Sequence, residues 1–380
     1  MARRVLVARG GALPRASGLG RAHHELVTRL ESGQVKDFSL ASVIEHDLNG
    51  NAFQRWRRRR FDHPRDVARI TQEESGKSSK SILHISDQEQ AHLVPHKSPI
   101  PVSVTVHDLF HLRPRKVKSS YGIVNVGKNS PGFIRSMDLK HIRKGLQRAD
   151  LLICISEATA LEVRELWPNK AVSVLPHAID VEGYNPYSYP LPKPVAVDYD
   201  QVNLLYVGSE EPRKRLDFLV EVLGHLPSDV RERVVLHKVG AESSPKKCRE
   251  LRAKASSYGV AINWEGKISD TELYSFYQHC DALLFPSLAE GFGLPPLEAM
   301  ASGCPVRSAN RPAHNEVAPE PWLLPYDTLD SWVDSVIEIA ESALKRGRRQ
   351  PCEIALSHST NFSIRNWASK IHEAWSNITK

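Results

Sequence analysis

Ala289-Glu290-Gly291-Phe292-Gly293-Leu294-Pro295-Pro296-Leu297-Glu298-Ala299-Met300-Ala301-Ser302-Gly303-Cys304-Pro305-Val306 is the stretch on which the fold reading turns. Just before it, Asp281-Ala282-Leu283-Leu284-Phe285 reads as a buried strand. Pro295 and Pro296 suit the first turn of a helix, where proline's fixed φ and missing N–H do no harm. Glu298 is expected in that turn and Gly303 just past the helix end. A helix N-terminus presents free N–H groups and a partial positive charge, which suits an anionic ligand such as a phosphate-linked sugar. Gly291 and Gly293 would let the backbone approach that ligand where a Cβ would collide, with Glu290 on the loop above. A lone glutamate here would be no more than a first-turn stabiliser; the string as a whole is too particular for that reading.

The string resembles the E-x7-E signature of the retaining glycosyltransferases of family 4, the group 1 glycosyltransferases, which have the two-domain GT-B fold. Other segments stand in the order that family requires. Tyr206-Val207-Gly208-Ser209-Glu210-Glu211-Pro212-Arg213-Lys214-Arg215-Leu216-Asp217 looks like its strand and phosphate-binding turn. Gly266-Lys267-Ile268-Ser269-Asp270-Thr271-Glu272-Leu273-Tyr274 looks like its segment near the nucleotide base. Ile155 to Thr159 and Leu175 to Asp180 resemble the stretches leading from the first domain to the second. Val106-His107-Asp108-Leu109 and Ser17-Gly18-Leu19-Gly20-Arg21 fill the matching places in the N-terminal half.

The resemblance implies an α/β protein of GT-B type, with two Rossmann-like doubly wound domains facing a central cleft. Residues 1–185 would form an acceptor-binding domain and 186–360 a nucleotide-sugar donor-binding domain, with 361–380 a helix crossing back to the first. The donor would be a nucleotide diphosphate sugar, GDP-mannose or a UDP-hexose. Mannose is slightly favoured by the segment His107-Asp108-Leu109-Phe110-His111-Leu112-Arg113-Pro114. Its binding set would be Gly18, Gly20, Gly208, Arg213, Lys214, Gly266, Ile268, Glu290, Gly291, Phe292, Gly293, Leu294 and Glu298. The catalytic set would be His107, Arg213, Lys214 and Glu290. Glu290 would contact sugar hydroxyls and Glu298 the ribose, while His107 would donate to a hydroxyl or steady the reacting face.

The residues themselves suit that chemistry. Breaking the bond between an anomeric carbon and a phosphate oxygen builds negative charge on the diphosphate, and Arg213 and Lys214 are adjacent cations between a strand and a helix. Carboxylates accept paired hydroxyl hydrogen bonds, the usual way to orient a ribose or pyranose. The family retains configuration by same-face attack in which the leaving phosphate takes the acceptor's proton, so no protein nucleophile, metal or further cofactor is expected. Three departures stand out. His23 occupies the third glycine position of G-x-G-x-x-G, His177-Ala178 replaces the common Asn-Gly, and Arg307 takes a place usually apolar.

The chain of 380 residues is long for one core and comfortable for two domains, with an ordinary 41% hydrophobic content. No apolar run approaches the length of a membrane span and the N-terminus lacks a signal-peptide core, so a cytoplasmic location is expected. Five scattered cysteines without a C-x-x-C pair indicate neither a disulfide framework nor a zinc site. The net charge of +7 is concentrated in Arg55-Trp56-Arg57-Arg58-Arg59-Arg60-Phe61. That run reads either as a solvated loop or helix face, or as a patch for anionic lipid at the inner face of the membrane or for nucleic acid.

Apolar runs at Val5–Val7, Ile82–Ile85, Val102–Val106 and Leu151–Ile155 are candidate parallel strands, with helices over His23–Leu30 and Leu139–Arg148. The second half repeats the scheme with strands at Asn203–Val207, Val234–His237, Ala261–Trp264 and Ala282–Phe285. Pro186 to Pro194 reads as an interdomain linker and Arg65 to Lys80 as a mobile loop. Asp198-Tyr199-Asp200 imitates a metal-binding D-x-D element, but ahead of a strand's amino end.

Three functions are thereby in play. The first is a hexosyltransferase acting on a glycan, lipid-linked or small-molecule acceptor, with no nucleic-acid partner. The second is a GT-B phosphorylase or sugar-phosphate synthase, set apart by turnover of a sugar 1-phosphate. The third is a basic nucleic-acid or anionic-lipid binding protein without catalysis, set apart by salt-steep binding indifferent to Glu290.

Overall fold

The computed structural model describes residues 3–11, 18–78, 80–128, 130–242, 244–346 and 349–379. The chain divides into two compact units. Unit 1 comprises Met1–Pro114, Gly127–His177 and Ile364–Lys380; unit 2 comprises Arg115–Val126 and Ala178–Ser363.

The first eight strands are β1 (Arg3–Gly11), β2 (Phe38–His46), β3 (Ile82–Ile85), β4 (Val102–Val106), β5 (Arg115–Ser119), β6 (Gly122–Val126), β7 (Leu151–Cys154) and β8 (Val172–Val174). β5 and β6 form an antiparallel hairpin that belongs with unit 2. The other six make a parallel sheet in the order β2-β1-β3-β4-β7-β8. Ile82–Ile85 and Leu151–Cys154 are buried throughout, as a sheet covered on both faces requires. The helices of this half are α1 (Gly18–Glu31), α2 (Ala52–Arg57), α3 (His63–Lys77), α4 (Phe133–Arg148) and α5 (Glu157–Leu166). Ser156 caps α5, its hydroxyl accepting the Thr159 N–H at 3.1 Å.

The stretch expected as a mobile loop, Arg65 to Lys80, is instead mostly α3. Its composition is polar, yet Val67, Thr71 and Glu74 recur at helical spacing and are buried, and Glu74 pairs with Arg4 at 2.6 Å. The arginine-rich run is helical too. α2 opens on a capping box between Asn51 and Gln54 and continues through a π-helical turn over Arg58–Asp62.

Unit 2 holds β9 (Val202–Val207), β10 (Val234–Val239), β11 (Ala261–Gly266), β12 (Ala282–Phe285), β13 (Val306–Ala309) and β14 (Leu323–Leu324), parallel in the order β11-β10-β9-β12-β13-β14. Its helices are α6 (Val181–Tyr184), α7 (Leu216–Gly224), α8 (Ser228–Arg231), α9 (Pro245–Ser257), α10 (Asp270–His279), α11 (Leu294–Ala301), α12 (His314–Val317), α13 (Leu329–Arg346) and α14 (Glu353–Ser359). Numbered within the unit, the strand order is 3-2-1-4-5-6, and it reverses between β9 and β12. Ligands of open α/β sheets bind beyond the carboxyl ends of the strands at such a reversal.

The proline-rich segment 186–194 lies inside unit 2, so the division falls between His177 and Ala178 rather than at 185/186. Its backbone is tied to α10: the Leu191 N–H donates to Gln278 Oε1 at 2.9 Å, Gln278 Nε2 to the Tyr189 carbonyl at 2.9 Å, and Ser275 Oγ to the Pro192 carbonyl. Side chains on α10, invisible to local composition, convert a linker-like sequence into a docked strap.

The last helix, α15 (Ile364–Ile378), groups with unit 1. Trp375 is fully buried there against Phe38 and His84, with ring centroids 5.3 and 5.5 Å away, and its indole N–H donates to Ser103 Oγ at 3.0 Å. The Arg29 guanidinium lies over Trp367 at 4.6 Å.

Candidate active site

Two loops meet beyond the strand-order reversal of unit 2. After β9 the chain passes Gly208 into a 3₁₀ turn, Pro212–Lys214, and enters α7 through Arg215 in the left-handed region at φ 55°. After β12 it runs through Ser287, Leu288 and Ala289 to Glu290. Backbone bonds lock the loops together. The Leu288 N–H donates to the Arg213 carbonyl at 2.7 Å, Ser287 Oγ lies 3.1 Å from the same oxygen, and Arg213 Nη1 donates to the Ala289 carbonyl at 2.9 Å. Gly208 packs closely: a Cβ there would lie 3.1 Å from Lys214 Cδ and 3.2 Å from Tyr206 Oη, so both side chains would have to give by a few tenths of an ångström.

Glu290, Arg213 and Lys214 thereby converge. Glu290 Oε2 is 2.7 Å from Arg213 Nη1, its Oε1 is 3.4 Å from Lys214 Nζ, and Ser287 Oγ donates to Oε1 at 2.9 Å. Burial opposes ionisation of this carboxyl, but Lys214 and Arg213 outweigh it and bring the pKa down to about 2. Arg213 also pairs with Glu211 at 2.9 Å. Two preorganised cations and one carboxylate are thus fixed beyond the ends of β9 and β12. His314 stands behind them, its Nδ1–H given to the Ala309 carbonyl at 3.1 Å, and burial pushes its pKa down to about 4, so the ring is neutral.

α11 begins after Gly293, whose φ of 133° is open to glycine alone. Both prolines fall inside the first turn, so Glu298 lies in the second turn, not the first as expected. It is buried, and Tyr277 Oη donates to its Oε2 at 3.0 Å. Phe292 is buried edge-on to Phe362 at 5.9 Å, while Gly291 and Leu294 are partly open. Gly266 ends β11, and its carbonyl accepts the Gly240 N–H at 2.7 Å; Ile268 follows, one residue before Ser269 caps α10. The unit 2 residues of the expected donor set therefore cluster beyond the carboxyl ends of β9, β11 and β12.

In unit 1, Gly18 and Gly20 lie in the first turn of α1 rather than in a loop before it, and residues 12–17, Ser17 included, are outside the described residues. His107 directly follows β4 and is buried. Its N–H donates to Gln88 Oε1 at 2.8 Å, and its Nε2 is 3.1 Å from the Ser86 carbonyl. A carbonyl only accepts, so it is Nε2 that donates here. The ring stacks on His177 at 5.4 Å, and burial holds His177 near a pKa of about 3. Burial likewise raises the pKa of Asp108, which caps a turn through the Phe110 N–H.

Ser287, Tyr277, His314, Ser86 and Gln88 escaped the sequence reading. Only Ser287, three residues before Glu290, had a local signal. Arg307 keeps its apolar-looking place because Ser335 on α13 accepts from its Nε at 2.6 Å. Asp198-Tyr199-Asp200 forms a turn at the amino end of β9, where Asp198 Oδ1 accepts the Asp200 N–H at 3.0 Å. Among the described residues no group of three or more His, Cys, Asp or Glu side chains is arranged to hold a metal.

Two family models match the chain: Glycosyltransferase Family 4 over residues 16–182 and Glycosyl transferases group 1 over residues 191–339. The serotype-specific mannosyltransferase WbdA of Escherichia coli is 30% identical over 250 residues, 62% of this chain and 29% of that protein. The D-inositol 3-phosphate glycosyltransferase of Geodermatophilus obscurus is 31% identical over 164 residues, 40% of this chain and 36% of that protein. The chain thus spans less than two-fifths of the length of either relative. Among solved structures, sucrose-phosphate synthase from Thermosynechococcus elongatus superposes with a TM-score of 0.70 at 16% identity, covering 99% of this chain and 98% of that one. Anabaena HepE in complex with UDP gives 0.66 at 15% identity, covering 99% and 100%. These likenesses carry the fold, GT-B with two Rossmann-like domains. The two family models follow one another along most of the sequence, and the chain belongs to the family 4, group 1 glycosyltransferases.

Proposed function

We propose that the protein transfers a hexose, mannose in preference, from a nucleotide diphosphate sugar to a glycan, lipid-linked or small-molecule acceptor, with retention of configuration. The observation that carries this reading is the meeting of Arg213, Lys214 and Glu290 at the strand-order reversal of unit 2. The relatedness to WbdA, named a mannosyltransferase, supports mannose, and the UDP in the HepE complex supports a nucleoside diphosphate leaving group.

In this reading the diphosphate takes up negative charge as the anomeric C–O bond breaks, and Arg213 and Lys214 meet it. Arg213 is already anchored by the Ala289 carbonyl, so little reorganisation is needed. Glu290 is ionised across the neutral range and only accepts, which suits it to sugar hydroxyls and to positive character at the anomeric carbon. The acceptor oxygen attacks on the face the phosphate leaves, and its proton passes to the departing phosphate oxygen. Glu298 would take the ribose, and unit 1 would recognise the acceptor. Neither a metal nor a protein nucleophile is needed. The test is turnover of GDP-mannose and UDP-hexoses against a panel of acceptors, with the product anomer assigned by NMR. Turnover of a sugar 1-phosphate alone would replace the reading with a phosphorylase.

A peripheral contact with anionic membrane is a second proposal, compatible with a cytoplasmic site of action. No described helix is long and apolar enough to cross a membrane. On and after α2, however, Phe53 is 67% exposed, Trp56 39% and Phe61 40%, and Phe53 stacks on Trp56 at 5.8 Å beside Arg55 and Arg57. Apolar rings among arginines suit a headgroup boundary. Phe53→Ser with Trp56→Ser should abolish flotation with anionic vesicles; unchanged flotation would return this face to plain solvent exposure.

A further inference from the structure

On the flank of unit 1, the first turns of α3, the segment His92–Lys97 and the second half of α4 enclose a cleft of about 490 Å³ that shares no lining residue with the site above. Five cations line it, Arg60, Arg65, Lys97, Lys144 and Arg148, and no carboxylate does. Two acids of the surrounding elements are already committed: Asp138 pairs with Arg59 at 3.6 Å and Glu89 with Arg135 at 2.6 Å.

Two of the cations, Arg60 and Arg148, are held by neutral groups. Arg60 Nη2 is 2.5 Å from His141 Nε2, and since arginine only donates, that nitrogen accepts while His141 Nδ1–H is given to the Met137 carbonyl at 2.7 Å. Arg148 donates to the Val94 carbonyl at 2.6 Å, but its Nε is closed to solvent without a partner. His92, which also lines the cleft, has both ring nitrogens closed to solvent and without a hydrogen bond of good geometry, although the backbone of Glu89 and Arg59 lies near. Burial keeps this imidazole neutral, with a pKa of about 3, so it has one N–H to give. Like charges gathered around an opening with no carboxylate in its lining are what a bound anion resolves.

We propose that this cleft binds a phosphoryl group, a phosphate monoester or diphosphate, held by Arg60, Arg65, Lys144 and Arg148. The cleft is larger than the phosphoryl group alone, and Phe61, Pro64 and Pro95 wall the space for the organic part.

The probe is inorganic pyrophosphate, titrated calorimetrically into the full chain, where two classes of site are expected. Lys214→Ala weakens the class at the donor turn. Arg65→Glu with Lys144→Glu, both exposed and therefore compatible with folding, weakens the other at least roughly tenfold, because each lost charge-assisted hydrogen bond is worth about that much. Lys246→Glu with Arg249→Glu on α9 makes the same change in net charge and leaves that class intact. A single class of site, or an equal loss in the α9 variant, overturns the proposal. Phosphatidylcholine vesicles doped with phosphatidic acid separate the sources. Retention that pyrophosphate and the Arg65/Lys144 variant both abolish assigns the group to a lipid; pyrophosphate binding without retention assigns it to a soluble phosphorylated compound.

Discussion

Replacing Glu290 with glutamine keeps its shape, removes its charge and leaves Arg213 and Lys214 without their shared anion. In the folded protein Lys214 and Arg213 overcome the burial cost and bring this carboxyl from 4.5 to about 2. That lowering corresponds to roughly 3 kcal/mol of preference for the ionised form. The side chain is only 15% exposed, so solvent screening does not erase the effect. Because the folded pKa is depressed, the stabilisation is complete above the unfolded value near 4.5, declines as pH falls and is gone below about 2. Urea unfolding should therefore show Glu290→Gln less stable than the parent by roughly 3 kcal/mol at about pH 7, with the gap narrowing by about pH 3. The variant should also bind nucleoside diphosphate more tightly, since the cations no longer face a competing carboxylate, yet fail to transfer sugar. A gap that stays constant between those pH values, or its absence at neutral pH, would refute the electrostatic account.

Lys214→Ala should lower kcat/KM by the equivalent of roughly 2–4 kcal/mol, the cost of losing one preorganised electrostatic partner; unchanged steady-state constants would remove Lys214 from the chemistry. Asp198→Asn with Asp200→Asn should remain active, and the parent should turn over in excess EDTA, because Arg213 and Lys214 bring the positive charge. Activity lost in EDTA, restored by Mn2+ and absent from the double variant would count decisively against that. Trp375→Ala should destabilise unit 1 by roughly 3–5 kcal/mol, as for other fully buried aromatic truncations. A change under about 1 kcal/mol in urea unfolding would mean that α15 contributes little to that unit.

The parallel sheets were readable wherever apolar runs were short and bounded. Ile82–Ile85, Val102–Val106, Leu151–Cys154 and Ala282–Phe285 are strands buried on both faces, and such strands announce themselves by composition. β2, with its mixed burial, and the charged hairpin β5–β6 give no such signal. α3 was misread because a helix needs only one buried stripe, and the polar residues on its other faces dominate the count.

For the site, sequence alone determined the residue types and their order: the glutamates eight positions apart, the glycine and prolines that start α11, and the adjacent Arg213 and Lys214. These are local matters of backbone conformation and chain spacing. Tertiary structure decided what each residue touches. It tied Arg213 to Ala289 and Glu290 across 76 and 77 positions of chain, turned Glu298 inward to Tyr277, and spent the Nε2 proton of His107 on Ser86. Hydrogen bonds and ion pairs act over a few ångströms in space, whatever the separation in sequence. The strand order that brings β9 beside β12 therefore determines the chemistry available at their ends.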